Sequence, residues 1–190
     1  MADVFHAGID YGSKLAGTTC ICFREGDRLK ILQSKKGEDA DEFILAWAQR
    51  HRPTHLFLDA PLSLPSVYSG EGNDYFYREA DRQLGAMSPL FLGGLTARAM
   101  RLCRMLAGAN IQTVEVYPAA LVKQLAAQKH YKKSIPSFKK ELKQHMRAVV
   151  LPAIANWHQT DSTLAWLSGE RFLQNKVLRY GSDSEGIVWV

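Results

Sequence analysis

Two aspartates stand at the ends of short apolar runs, where a carboxylate is costly. Asp10 follows Ala7-Gly8-Ile9, and Asp59 follows Leu56-Phe57-Leu58. Both runs are typical of buried strands, and a charge placed there destabilises the fold unless a cation or hydrogen bonds compensate it. If the strands are parallel neighbours, the two carboxylates lie side by side, and a divalent ion would neutralise both. Each aspartate alone could cap a turn, but the pair favours a site for Mg²⁺ or Mn²⁺, which prefer oxygen ligands.

A third acid is needed to hold two ions, and Asp161 is the candidate. It follows His158 by three residues, which places the imidazole and the carboxylate on one face of a helix that begins early enough. The alternative is that Asp161 caps a helix over 162–172 and stabilises its N-terminal dipole. The presence of Asp10 and Asp59 favours the interpretation as a metal ligand.

The elements that must position these residues follow from hydrophobic periodicity and turn signals. Gly26-Asp27 joins two apolar runs as a tight hairpin turn, whereas 39–51 has apolar residues at helical spacing. The predicted strands are 4–12, 18–23, 29–32, 55–59 and 113–117, and the predicted helices are 39–51, 75–84, 96–106, 137–150 and 160–175. Because no repeat or interdomain linker is visible, we expect a single domain over 1–190 with a loop and helix insertion at about 63–95.

The order of these elements predicts an α/β fold with a mixed five-stranded sheet flanked by helices. Three strands form a meander, and two further strands are each reached through a helix. A doubly wound nucleotide-binding fold would instead alternate strand and helix from the start. The predicted order is that of RNase H-like domains.

Short motifs across the chain carry a resemblance to known families. Gly8-Ile9-Asp10-Tyr11-Gly12-Ser13, followed by Gly17, resembles the first-strand motif of RuvC-type Holliday-junction resolvases, and His158-Gln159-Thr160-Asp161, followed by Leu164-Ala165, is similar to their C-terminal helix motif. The chain more extensively resembles a family of unknown function whose members are predicted RNase H-like nucleases. The segments that match it are Asp59-Ala60-Pro61-Leu62, Arg78-Glu79-Ala80-Asp81-Arg82 with Leu84-Gly85, Glu115-Val116-Tyr117-Pro118 and Ser184-Glu185-Gly186.

The resemblance implies a metal-dependent nuclease that hydrolyses phosphodiester bonds of DNA or RNA with two Mg²⁺ or Mn²⁺ ions. Asp10 would bridge both ions, Asp59 would bind one, and Asp161 would bind the other. His158 stands where resolvases can carry a second acid. It could be a metal ligand, a proton donor to the leaving oxygen, or a residue of the helix surface.

Two arginines and a glutamate are candidates for substrate contact. Arg78 and Arg82 follow a group of aromatic residues, and guanidinium groups bind phosphates while aromatic faces stack on bases. Those aromatic residues are Tyr68, Tyr75, Phe76 and Tyr77. The alternative is a hydrophobic cluster beneath a long loop, with Arg78 paired to Asp81. Glu115, on the last predicted strand, would contact the substrate, support the metal ligands, or be structural.

The positive charge of the chain is concentrated in one segment. Residues 121–147 contain eight basic residues and one acidic residue, a net charge of +7, so the rest of the chain carries −2. Lys139, Lys143 and Arg147 repeat at i, i+4 and i+8, which predicts a basic stripe on a helix that contacts a nucleic-acid backbone. The alternative is an ordinary solvated helix face.

Composition bears on the location of the protein and on its expected partner. Three cysteines without an export signal favour reduced thiols and a cytoplasmic location, and no apolar run is long enough to cross a membrane. The expected partner is therefore a nucleic acid, and the oligomeric state stays open, with a homodimer as one option.

Two alternative functions remain at this point. The first is a non-catalytic nucleic-acid-binding or regulatory module on the same fold, which need not bind metal. The second follows from Asp10-Tyr11-Gly12-Ser13, which also resembles the phosphate loop of actin-like ATPases and sugar kinases. Those proteins need a second lobe of comparable size, which 190 residues do not supply.

Overall fold

The computed structural model describes residues 5–190, so Val4 of the first predicted strand lies outside the described residues. The strands are β1 (His6–Asp10), β2 (Cys20–Glu25), β3 (Arg28–Gln33), β4 (His55–Asp59), β5 (Gln112–Val116), β6 (Arg179–Ser182) and β7 (Gly186–Trp189). The helices are α1 (Ala40–His51), α2 (Glu79–Leu84), α3 (Pro89–Leu92), α4 (Gly94–Gly108), α5 (Pro118–Gln124), α6 (Ile135–His145) and α7 (Trp157–Leu173), with a 3₁₀ turn at Ser66–Ser69.

The strands form one mixed sheet in the order β3-β2-β1-β4-β5-β7-β6. β1 is antiparallel to β2 and parallel to β4, and β4 is parallel to β5. The α/β class and the predicted order of the first five strands are thus confirmed. The count of five strands is wrong, because a C-terminal hairpin of β6 and β7 extends the sheet beyond β5.

Side-chain alternation on the central strands decides which groups face which helices. Ala7 and Ile9 of β1 pack with Leu58 of β4 in the apolar cluster under α1 and α4. The intervening residue Gly8 faces α7 on the other side of the sheet. Because neighbours along a strand point to opposite faces, Asp10 faces the α7 side together with Gly8.

Helix α7 packs directly on β1, and Gly8 makes this possible. A Cβ atom at Gly8 would lie 1.9 Å from the backbone nitrogen of Trp166. The ten residues from Thr160 to Gly169 of α7 are all buried. The long helix is therefore held against the sheet at a distance that only glycine permits.

Several helix boundaries differ from the sequence prediction, and two of them bear on the predicted site residues. α6 ends at His145 rather than 150, so Arg147 is not part of a helical stripe with Lys139 and Lys143. α7 begins at Trp157 rather than 160, because the side chain of Asn156 accepts a hydrogen bond from Gln159 N at 3.0 Å and caps the helix. The earlier start includes both His158 and Asp161 in α7.

The described residues contain no helix that is long and apolar enough to span a membrane.

We predict that Gly8→Ala destabilises the protein strongly, because the added methyl group meets the backbone of α7. Overpacking of this kind costs about 1–3 kcal/mol or more, and the free energy of unfolding in urea measures it. Gly108→Ala is the matched control, because a Cβ at Gly108, within α4, meets no atom within 4 Å. It should be neutral or stabilise by about 0.5–1 kcal/mol. Equal stabilities of the two variants would mean that α7 does not depend on Gly8.

Candidate metal centre

Three carboxylates converge at the carboxyl ends of β1 and β4. Asp10 and Asp59 are direct partners in the parallel register of these strands, and Asp161 approaches them from α7. One carboxylate oxygen from each residue lies within 4.8 Å of the others. The structure therefore brings together the three acids that the sequence indicated.

Asp161 owes its place to the start of α7. It is the fifth residue of the helix and is only 6% exposed, and the capping position is taken by Asn156. The alternative that Asp161 caps the helix is therefore wrong. Its carboxylate points from the helix into the acidic centre rather than along the helix end.

The acids disfavour one another's charged forms. Burial raises the pKa of Asp59 well above its usual value, and the nearby charges of Asp10 and Asp161 raise it further. Burial also raises the pKa of Asp161, which Lys132 opposes. A cluster of this kind attracts a cation, because positive charge at its centre removes both the repulsion and the cost of burial.

A lysine and a histidine of the protein contact two of the three acids. Lys132 Nζ lies 2.5 Å from Asp161 Oδ2, and the hydroxyl of Tyr131 donates to Asp161 Oδ1 at 2.8 Å. His158 Nδ1 lies 2.7 Å from Asp10 Oδ2, and this hydrogen bond raises the pKa of His158. The acidic centre is thus bordered by the ammonium group of Lys132 and the imidazole of His158.

Tyr131 and Lys132 were missed by sequence reasoning. They belong to the loop before α6, and Lys132 has a left-handed φ of 58°. Its ammonium group also lies 5.6 Å from the ring centre of Trp157. The concentration of charge in 121–147 signalled a basic surface, but no local spacing singles out this lysine.

Three carboxylate oxygens at this separation suit a hard divalent cation such as Mg²⁺ or Mn²⁺. The fit rests on the donor set and on the raised pKa values, which show that negative charge is under-compensated. An apolar cavity of about 240 Å³ adjoins Asp59 and is lined in part by Met87, Leu95 and Tyr117. Of the three acids, Asp59 is the one that borders this cavity.

Arg78 is placed differently from the expectation. It is 1% exposed, and its guanidinium group bonds Asp81 and Glu115 at 2.7 Å each. It also donates to Ser63 Oγ at 2.8 Å. A phosphate could reach Arg78 only by displacing a buried carboxylate, so the predicted phosphate contact is corrected to the alternative, an ion pair with Asp81.

Glu115 links this ion-pair network to the chain that follows Asp59. Its Oε2 accepts the backbone N–H of Leu62 at 2.8 Å, while Arg78 holds the same carboxylate. Glu115 is on the opposite face of the sheet from Asp59, because it pairs in register with Leu58. Its contacts are those of a residue that fixes the path of the loop, rather than those of a group at the acidic centre.

Glu185 fastens the insertion to the C-terminal hairpin. Its carboxylate accepts the backbone N–H groups of Ser66 and Glu79 at 2.8 and 2.7 Å, and its carbonyl accepts from Ser63 Oγ. Glu185 belongs to the Ser184-Glu185-Gly186 segment of the family resemblance. The structure gives that segment a supporting role at the end of β4.

The remaining expected substrate contacts lie at the surface. Arg82 is 63% exposed, pairs with Asp74, and stacks 5.0 Å from the centre of the Tyr77 ring. Lys139 donates to the carbonyl of Pro152 at 2.6 Å, and Lys143 is exposed. The predicted hydrophobic cluster beneath the loop is wrong for three aromatic residues, which are more than half exposed. These are Tyr68, Tyr75 and Phe76.

No protein-family model matches the chain, and no curated protein matches it. Among solved structures, the chain is similar to RuvC of Thermus thermophilus in complex with a Holliday junction substrate, with 14% identity and a TM-score of 0.47. It is also similar to a second structure of Thermus thermophilus RuvC, with 15% identity and a TM-score of 0.49. Each likeness covers 93% of this chain and 98% of the other. The α/β class of the chain is assigned from its strand order and register.

We predict that Mn²⁺ stabilises the wild-type protein and that Asp59→Asn abolishes most of this effect. At a concentration 100 times its dissociation constant, an ion that binds only the folded state adds about 2.7 kcal/mol, or about 5–10 °C in Tm for a chain of this size. Thermal melts with and without Mn²⁺ measure the shift. Asp27→Asn is the control, because Asp27 is a carboxylate exposed by 79% on the hairpin. An equal shift in wild type and Asp59→Asn would remove Asp59 from the centre.

Proposed function

We propose that the protein is a metal-dependent nuclease that hydrolyses phosphodiester bonds of nucleic acid at the centre formed by Asp10, Asp59 and Asp161. The observation that carries the proposal is the convergence of three carboxylate oxygens within 4.8 Å on rigid elements. Two of the carboxylates end neighbouring parallel strands, and the third is on a buried helix. Ligands on such elements hold hard cations in a fixed geometry while a substrate exchanges.

The three acids and His158 would have different roles in this reaction. Asp10 would be shared by two Mg²⁺ or Mn²⁺ ions, with Asp59 and Asp161 each completing one site. Bound ions of this kind make a water nucleophilic at neutral pH and stabilise the charge of a leaving oxygen. His158, which is hydrogen-bonded to Asp10, would donate a proton to the leaving oxygen.

Lys132 is proposed to contact the phosphate that is cleaved. Its ammonium group lies beside Asp161, and the lysine side chain is half exposed. If Asp161 held a metal ion, the ammonium group of Lys132 would be free to contact a phosphate. A point charge in this position stabilises negative charge that develops on the phosphate.

A second candidate function is a nucleic-acid-binding module without catalysis. The observation that favours it is that the ammonium group of Lys132 and the imidazole of His158 already contact two of the acids without any metal. This candidate is distinguished from a nuclease by metal-dependent cleavage.

We predict that Asp10→Asn eliminates cleavage and preserves the fold. The substitution is nearly isosteric, and it relieves repulsion with Asp59, so the metal-free protein should be as stable as wild type or more stable. Cleavage should fall by orders of magnitude, because both ions lose their shared ligand. Rates are measured in Mg²⁺ and in Mn²⁺ on single-stranded DNA, duplex DNA, RNA, an RNA–DNA hybrid and a four-way junction, with Asp27→Asn as control. Equal rates for Asp10→Asn and wild type would place the reaction elsewhere, and a wild type that cuts none of these substrates would favour the binding module.

We predict that Lys132→Gln tightens Mn²⁺ binding and slows cleavage at saturating metal. Removing the ammonium group ends its competition for Asp161, and a half-exposed ion pair contributes at most about 1 kcal/mol, or up to about fivefold in affinity. Calorimetric titration gives the dissociation constant for Mn²⁺. Lys133→Gln is the control, since it removes the same charge from the neighbouring exposed residue. An unchanged dissociation constant in Lys132→Gln would show that ammonium and metal do not share Asp161.

A further inference from the structure

A second concentration of charge lies at the far end of α7 from the acids. It surrounds a cavity of about 250 Å³ between the end of β2, the chain after α6, and the last turns of α7. The buried side chains of Met146, Trp166 and Leu167 form part of its wall. The cations that line it are Arg24, Arg147, Arg171 and Lys176. We call it the basic cavity.

The cations of the basic cavity have no carboxylate partner. Within the described part of the chain, no carboxylate oxygen lies within 4.0 Å of any of the four, whereas Arg78, Arg98 and Arg179 are each paired. The one acid that lines the cavity, Glu170, lies 3.7 Å from His6, but burial lowers the pKa of His6 to about 4, so the imidazole does not neutralise this carboxylate, which interacts with the charge of Arg24. Nε of Arg171 is buried without a hydrogen-bond partner in the described residues, and Nη2 has only a long contact of 3.3 Å to Gln124. Four cations thus line the cavity with one carboxylate, which leaves a net positive charge.

A concave site with apolar walls strengthens the attraction for an anion. Low-dielectric walls such as Trp166 and Leu167 concentrate the field of the surrounding cations. Guanidinium groups bind phosphate oxygens through paired hydrogen bonds, and they bind phosphate better than ammonium groups do when the geometry is fixed. Three of the four cations in the basic cavity are arginines, so its chemistry favours a phosphate.

The distance between the basic cavity and the acidic centre corresponds to a few nucleotides of a nucleic acid. Asp161 and Arg171 are ten residues apart on α7, which at 1.5 Å per residue is about 15 Å, or four to five base steps of duplex DNA. The segment around α6 spans the same interval, with Lys132 at the acids and Arg147 at the basic cavity. A nucleic acid with one phosphate at the acids could thus reach the cavity with a phosphate a few nucleotides away.

We propose that the basic cavity is a second phosphate-binding site, which holds a backbone phosphate of the nucleic acid whose cleaved phosphate lies at the acids. The inference rests on the proposed function for the identity of its ligand. It adds Arg24, Arg171 and Lys176, none of which belongs to the predicted stripe on α6. Contacts of this kind position a substrate without reading its sequence.

The test uses Arg147→Gln/Lys176→Gln in the full-length chain. Both side chains are exposed, so the fold should be retained, and Arg101→Gln/Arg104→Gln is the matched control, which removes the same charge from exposed positions of α4. Binding of a 30-base-pair DNA duplex is measured by fluorescence anisotropy in EDTA between 50 and 200 mM salt. Each lost phosphate contact lowers the salt slope by about 0.9, and the cavity is proposed to hold one phosphate, so over this range the cavity variant should lose about 3.5-fold less affinity than wild type.

Each outcome decides the proposal. A smaller salt slope in the cavity variant with an unchanged slope in the control supports it, and equal changes in the two variants would reduce it to an effect of net charge. Unchanged duplex binding, combined with loss of inorganic pyrophosphate binding in the same variant, would assign the cavity to a free phosphoanion and overturn the nucleic-acid assignment. Because binding is measured in EDTA, a protein that binds the duplex but never cleaves it would contradict the proposed nuclease and leave this inference standing.

Discussion

The contact between Gly8 and the backbone of Trp166 is the constraint on which the acidic centre depends. It sets how near α7 lies to β1, and this distance fixes the positions of Asp161 and His158 relative to Asp10. Asp10 and Asp59 are already aligned by the parallel register of two buried strands. A change of side-chain volume at the glycine would therefore move one ligand of the centre while leaving the other two in place.

Buried charge in this protein is compensated in three different ways. Around Arg78 the guanidinium charge is compensated by two carboxylates, one of which, that of Glu115, also holds the chain after β4. At the acids the charge is compensated in part, by Lys132 and by the hydrogen bond from His158. In the basic cavity four cations lie beside one carboxylate, that of Glu170. The fully paired network is structural, since breaking it would leave a buried charge, whereas the two unbalanced sites have charge available for a ligand.

The central strands and two of the acids could be predicted because their signals are local. An apolar run that ends in a carboxylate is visible at Asp10 and at Asp59 without knowledge of any partner. Lys132, by contrast, is significant only through Asp161, which is 29 residues away, and Arg78 only through Glu115, 37 residues away. The hairpin of β6 and β7 was also missed, because its two strands have four residues each and are joined by Asp183-Ser184-Glu185, in which Asp and Ser are typical of turns. Long-range pairing, which single-sequence patterns do not encode, decides these features.

The order of β1, β4 and α7 along the chain has a consequence for biosynthesis. His158 and Asp10 are 148 residues apart, and α7 is synthesised after both strands. A nascent chain can pair β1 with β4, yet its two aspartates then repel each other with neither the third carboxylate nor the imidazole present. The acidic centre is thus assembled only after α7 has been synthesised. Contacts between such distant segments also slow folding, so the last step of folding and the appearance of the centre should coincide.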